Sequence, residues 1–300
     1  MNENIRVSNN KYFNKNFREL LDNFFGGQIN PRKFKEINFA YLFNLPSITE
    51  RNSELKIRVN EDIEKFKWDG EFLKNFAERK NNIISKLKNE GYEVESCSPN
   101  IFWRLIIGLG ASHPQETSMT LHYIYGIPYI PGSAIKGVTR HWAVLKFAEE
   151  KNKEENKDFE EVIKEVSKAL DDGEDLGLEV DNISFKDLIE IFGTQKQQGK
   201  VIFFDAYPIG GIKLKIDIMN PHYPKYYSEG QPPTDWQNPV PIKFLTVEKT
   251  KFKFYLASKV AKDPNKNLLN KTKVLLLEAL KSYGVGAKTS LGYGIFIEDF

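Results

Sequence analysis

The stretch 284–296, GVGAKTSLGYGIF, sets Gly284, Gly286, Gly292 and Gly294 around Lys288, Thr289 and Ser290. Glycines carry no Cβ and take φ > 0, so successive N–H groups can turn toward one anion while the lysine and the hydroxyls add charge and donors. That is the chemistry of a phosphate-bearing partner. The same glycines also suit a helix C-cap at Gly284 followed by a tight turn, so the loop gains weight only with a second feature. Lys136 and Arg140 supply one: four residues apart on a helix, they stand one above the other, with Ser133 on that face one turn earlier. Two cations beside an exposed helix start form a phosphate site. An ordinary solvated helix face is the competing reading.

Other chemistry-bearing residues are sparser. His113 stands in a polar loop with Glu116 and Thr117, where a general base or an RNA contact would stand, or a plain hydrogen-bonding residue. His113, His122 and Glu116 match no recognised zinc spacing, so no metal is assigned. Asp205 follows VIFF as a strand-end carboxylate, yet nothing in the sequence pairs it with a second acid or a histidine. The string GAKT departs from a P-loop, which needs four residues between its first glycine and Gly-Lys-Thr, a strand before it and a helix after it. No catalytic residue and no cofactor are assigned. Tyr223, Tyr226, Tyr227 and Trp236, interleaved with Lys225 and prolines, would either stack on splayed bases or pin their own loop.

Phe13, Phe17, Leu20, Leu21, Phe24 and Phe25 recur at helical spacing up to Gly26-Gly27, and residues 60–90 predict one or two amphipathic helices broken at Asp69-Gly70 and stopped by Gly91. Residues 1–95 thus form an N-terminal helical extension and 96–300 the main domain. There, the apolar run IFWRLIIGLG predicts a strand buried on both faces, and Leu121–Tyr125 a short one. A helix follows from Ser133, its N-cap. An acidic insertion at 149–192 carries helices at 159–170 and 185–192. KVIFFDAYPI is a second strand, and residues 207–241, dense in proline, form a long excursion. Phe244–Leu256 is a third strand with KTK as a hairpin tip, then a helix from Asp263-Pro264 to Tyr283 leads into the glycine loop and a last strand at 294–297. The order is βαββαβ, which is ferredoxin-like and brings the glycine loop beside the first helix of the same sheet.

Composition bounds the reading. Lysines and arginines (43) nearly cancel aspartates and glutamates (41), so contact with nucleic acid must be local rather than a bulk attraction. Charge is uneven: residues 149–190 hold 16 acidic side chains against 6 lysines, and 243–288 hold 11 lysines against 3 acids. The single Cys97 fits a reducing compartment, and no run of about 18 apolar residues exists, so the expected location is cytoplasmic, with no membrane partner.

GLGASHPQETSMTLHYIYGIPYIPGSAIKGVTRHW at 108–142, GKVIFFDAYP at 199–208 and YGVGAKTSLGYGIF at 283–296 resemble the RAMP superfamily of CRISPR proteins, and within it the family of sixth subunits of the Cmr (type III-B) effector complex. The HPxET, GIPYIPGS and KGVTR elements, in that order, are the specific part; the glycine-rich loop is common to RAMPs. The resemblance implies an α+β, ferredoxin-like (RRM-like) RAMP fold with long insertions. It implies a non-catalytic structural subunit of a ribonucleoprotein in antiviral defence, holding the 3′ part of a guide RNA that pairs with target RNA, beside other Cmr subunits. Carried over by position, Ser133, Lys136, Arg140, Gly286, Lys288, Thr289 and Ser290 become candidate RNA contacts, with His113 a further one, and the 207–241 excursion takes the place of the thumb-like hairpin of backbone RAMPs. The Cmr backbone nuclease cuts with a loop aspartate; no equivalent is placed here. The alternatives are a metal-independent RAMP endoribonuclease with His113 as general base, and an adaptor that touches only protein.

Overall fold

The structure is a computed structural model and describes residues 38–44, 47–51, 54–58, 64, 66–113, 117–155, 157–220, 230, 232, 241–259 and 267–298. The expected helix at 12–25, Glu116, the aromatics at 223–236 and the Asp263-Pro264 helix start lie outside these residues.

The chain mixes helices with antiparallel sheets. Helix α1 (Phe39–Asn44) and the ribbon β1 (Ser47–Arg51) and β2 (Glu54–Arg58) precede α2 (Gly70–Asn89). Asp69 caps α2 through its carboxylate, which accepts from the Glu71 and Phe72 amides, and Gly91 ends the turn after it at φ 82°. Next come β3 (Tyr92–Cys97), β4 (Asn100–Ile101), β5 (Arg104–Leu105), α3 (Gly132–Glu155), α4 (Phe159–Asp172), β6 (Glu179–Val180), β7 (Ile183–Ser184) and α5 (Phe185–Phe192). The strands β8 (Val201–Phe203), β9 (Tyr207–Ile209), β10 (Leu214–Met219), β11 (Ile242–Glu248) and β12 (Lys251–Lys259) follow. Helix α6 (Leu268–Ser282) and β13 (Phe296–Ile297) complete the described chain.

The main sheet runs β13, then β3 and β4 in line, then β12, then β8 and β9 in line, every neighbour antiparallel. Helices α3 and α6 pack together and cover one face of it. Along β12 the period-2 pattern decides the layers: Phe252, Phe254 and Leu256 are buried, while Lys251, Lys253 and Tyr255 stay partly open on the other face. Each fully buried Phe or Leu side chain contributes about 1.5–3 kcal/mol over its exposed state. Helix α2 lies over the open face, where the Tyr255 hydroxyl donates to Asn81 Oδ1 at 3.0 Å.

Several expectations are corrected. The first strand of the sheet is β3, 92–97, which precedes the strand expected at Ile101. Its sequence YEVESC tolerates charges because the strand stays partly open from Tyr92 to Ser96 and only Cys97 is buried. The run IFWRLIIGLG is not one buried strand: β4 and β5 are two residues each, and between them Phe102 and Trp103 bulge outward, 60% and 38% exposed. Leu121–Tyr125 is a single bridge, Leu121 to Pro128, followed by a turn. The KTK segment reverses nothing. Residues 247–259 run on antiparallel to 92–105 through a kink at Lys249 (φ 39°), leaving one sheet for the other. The excursion is shorter than expected, since 207–219 holds β9 and β10; Pro208 is accommodated because β9 is an edge strand. The last long helix starts at Leu268, with the Asn267 side chain accepting from the Asn270 amide.

Candidate nucleic-acid interface

The glycine-rich loop is built from its backbone. Helix α6 ends as Tyr283 and Gly284 both donate to the Ala279 carbonyl, with Gly284 at φ 76°. Val285 N–H then bonds Gly294 O, Ala287 N–H bonds Ile106 O, and Gly294 N–H bonds Arg104 O at 2.7 Å. The loop base is thus stitched to the chain leaving β5. Close approach explains the glycine at 286: a Cβ there would stand 2.1 Å from Ile106 O.

The tip is different. Thr289–Leu291 forms one 3-10 turn entered from Lys288, a non-glycine residue in the left-handed region at φ 58°, ψ 34°. That conformation costs a side chain-bearing residue about 1–2 kcal/mol. No hydrogen bond or ion pair to another described residue engages the Lys288 ammonium or the Thr289 and Ser290 hydroxyls. Gly286 and Ser290 are exposed, Lys288 and Thr289 half-buried. Strained backbone, a cation and two hydroxyls therefore meet at one open turn.

A network that sequence reading missed holds this turn. Arg104 pairs with Asp217 and, at 3.4 Å, with Glu248; Lys213 reaches Glu248 at 2.7 Å; the Tyr293 hydroxyl donates to Asp217 Oδ2 at 2.7 Å. Burial pushes the Asp217 carboxyl upward, but the bonds from Tyr293, the Ile218 amide and Arg104 prevail and hold it below the usual range. The hint in the sequence is a lone arginine inside the apolar run IFWRLII and a lone aspartate in LKIDIM.

The start of α3 departs from expectation. Ser133 is not the N-cap; the helix begins at Gly132, whose N–H donates to Asp205 Oδ1 at 2.7 Å. A Cβ at 132 would lie 2.3 Å from Phe203 O, so the helix can start against the strand only with glycine. Asp205 is thereby a structural cap supplied by the link between β8 and β9, and Ser133 sits exposed in the first turn.

Lys136 and Arg140 do share a face and sense each other, since burial first, and the Arg140 charge second, lower the Lys136 pKa. Both have protein partners. Lys136 Nζ donates to the carbonyl of Phe192, the last residue of α5, at 2.8 Å. Arg140 pairs with Asp171 at 2.7 Å and donates to Ser167 O at 3.3 Å in the closing turns of α4. Each cation thus satisfies the C-terminal end of an insertion helix. No contact joins Lys288 to either among the described residues. His113 is elsewhere, stacked on Phe43 with ring centroids 4.5 Å apart, and burial lowers its pKa. Among the described residues no group of three or more His, Cys, Asp or Glu could hold a metal, and no helix is long and apolar enough to cross a membrane.

Comparison with known proteins adds to this geometry. The RAMP superfamily profile matches residues 104–297. The chain is 42% identical over 228 residues to the CRISPR system Cmr subunit Cmr6 of Pyrococcus furiosus, an alignment covering 65% of each protein, so it spans just under two thirds of that relative's length. It is 25% identical over 256 residues to the Cmr6 subunit of Saccharolobus solfataricus, covering 83% of this chain and 72% of that one. Among solved structures, a chain of the type III-B Cmr-beta complex bound to cognate target RNA superposes with a TM-score of 0.51 at 26% identity, covering 78% of this chain and 67% of that chain.

Proposed function

The chain belongs to the RAMP superfamily, and from that premise we propose that it is a non-catalytic structural subunit of a type III-B Cmr ribonucleoprotein. It holds the 3′ part of the guide RNA while base pairing with target RNA supplies specificity. Its partners are the guide RNA, the target RNA and other Cmr subunits. The reading takes the main sheet as ferredoxin-like (RRM-like): a strand on either side of α3 and of α6, with antiparallel neighbours in the order last, first, third, second.

One observation carries the reading: Lys288 is held in a strained left-handed turn with Thr289 and Ser290, its ammonium without a partner among the described residues. Local strain that the surroundings enforce concentrates at functional sites. A phosphate fits a turn of this kind, because it accepts from backbone amides, hydroxyls and an ammonium together. Lys136, Arg140 and Ser133 extend the contact along α3, and His113 is a further contact; a phosphate at the two cations competes with Phe192 O and Asp171.

The test is the salt dependence of single-stranded RNA binding. Replacing Lys136, Arg140 and Lys288 together by alanine lowers the log-log slope by about 2, and Lys288→Ala alone by about 0.7. An unchanged slope in the triple variant removes these residues from the site. Ultraviolet crosslinking in the assembled complex that yields no guide adduct on this chain replaces the reading with a protein-only adaptor.

A further inference from the structure

We propose that the cavity between α2 and the open face of β9 and β12 seats one nucleotide of single-stranded RNA. The cavity has a volume of about 330 Å³. It lies across the sheet from α3 and α6, so it is separate from the glycine-rich turn. The inference rests on the RNA-binding reading above and adds a second contact to it.

Three features select the occupant. First, the walls are largely apolar and aromatic: Tyr255 of the central strand and Tyr207 line the cavity together with Phe76 and Ile84 of α2. Unstacked bases take up aromatic surfaces of this kind on the sheets of RNA-binding domains. Second, the lining is cationic. Lys80 Nζ stands 4.1 Å from the Tyr207 ring centroid and Lys253 Nζ 5.5 Å from that of Tyr255, and neither forms an ion pair with a described carboxylate. The one carboxylate of the lining, Asp205, already accepts the Gly132 amide. Burial lowers the Lys80 pKa, and the Asp205 charge acts against it. Third, Asn81 uses its Oδ1 to accept from Tyr255, which leaves its amide N–H groups for a base edge. The volume sits at the low end of small-ligand sites, enough for one nucleotide and too little for a partner's helix. Base on tyrosine, phosphate on lysine and base edge on asparagine together describe a ribonucleotide.

The experiment crosslinks 4-thiouridine-substituted single-stranded RNA to the full chain and maps the adducts by mass spectrometry. Adducts are expected on the peptides carrying Lys80 and Tyr255. Tyr255→Ala weakens binding about tenfold, within the range for a lost base stack. Ile84→Trp fills the cavity from a half-exposed position; it erases these adducts and leaves those on the loop. Lys80→Ala with Lys253→Ala lowers the salt slope by about 0.7 for a shared phosphate. If RNA binds but adducts fall only on residues 286–290, the cavity proposal is overturned and the RNA-binding reading stands. If no adduct forms anywhere on the chain, both fall. A crosslink from Lys80 to a neighbouring subunit, with no RNA adduct at the cavity, overturns it in favour of a protein occupant.

Discussion

The Tyr293 hydroxyl donates to Asp217 Oδ2 at 2.7 Å across 76 residues of sequence, and so fastens the glycine-rich turn to the β10–β11–β5 sheet. Tyr293 is buried, and its ring lies 4.8 Å from that of Trp103 and 6.2 Å from that of Phe244. The turn is therefore presented by two sheets at once. Its rigidity is a tertiary property.

Tyr293→Phe removes that bond while keeping the ring, and is expected to cost about 1–1.5 kcal/mol in urea unfolding. Burial, with the bond to Asp217, pushes the phenol up to about 12. A raised tyrosine pKa contributes stability that is complete below the unfolded value of about 10 and is lost as pH rises through the folded one. The variant should accordingly lose less stability than the parent between pH 10 and 12. Faster amide exchange at residues 285–294 would accompany the change; equal exchange in both proteins would refute the fastening role.

Two glycine substitutions should act in opposite directions. At Gly286 (φ 101°) a Cβ meets Ile106 O, so Gly286→Ala costs at least about 1–3 kcal/mol and opens the loop base. At Gly137, exposed in the second turn of α3, nothing lies within 4 Å, and Gly137→Ala stabilises by about 0.5–1 kcal/mol. Thermal unfolding of the pair measures both. If the Gly137 face approaches RNA closely, the stabilised variant binds RNA more weakly.

Asp205→Ala strips the cap from α3 and should cost about 0.5–2 kcal/mol, with Asp205→Asn retaining most of it because the amide oxygen still accepts from Gly132. Denaturant midpoints decide. Equal losses in the two variants would mean that charge, and not the hydrogen bond, does the capping.

Asp187 carries an acid-sensitive part of the stability. It is 5% exposed, pairs with Lys271 at 2.6 Å and forms a capping box with Ser184. Burial raises its pKa, but Lys271 and Ser184 outweigh burial and leave it lowered. A depressed carboxylate stabilises above the unfolded value of about 3.9, and that share disappears as pH falls through the folded value. Asp187→Asn should therefore lower stability at pH 7 by about 1–3 kcal/mol and flatten its decline toward pH 3. An equally steep decline would assign acid sensitivity to other carboxylates.

His113 tests the catalytic alternative. It is stacked on Phe43, and burial lowers its pKa, which favours the neutral imidazole that a base requires. The structural reading expects no cleavage when the chain meets repeat RNA in EDTA, where metal-free attack by a 2′-hydroxyl would still proceed. Product that vanishes in His113→Ala would install the nuclease.

Much of the local structure was legible in the residues. Apolar spacing marked a helix at 159–170, which the structure extends to Asp172 before Gly173, the stop at Gly91 was plain, and alternation at 244–256 marked the strands that became β11 and β12, because helix and strand periods and left-handed glycines are local properties. The quoted segments also carried the family. Lys136 and Arg140 were visible as a cationic pair, and no local rule could show that each reaches a helix end of the insertion. Asp205 as a cap, Arg104 with Asp217 beneath the loop, and Lys80 over Tyr207 join residues 73, 113 and over 120 positions apart. Sequence patterns report which side a residue turns to; the partner that arrives there is chosen by the long-range register of the sheets, and only folding sets that register.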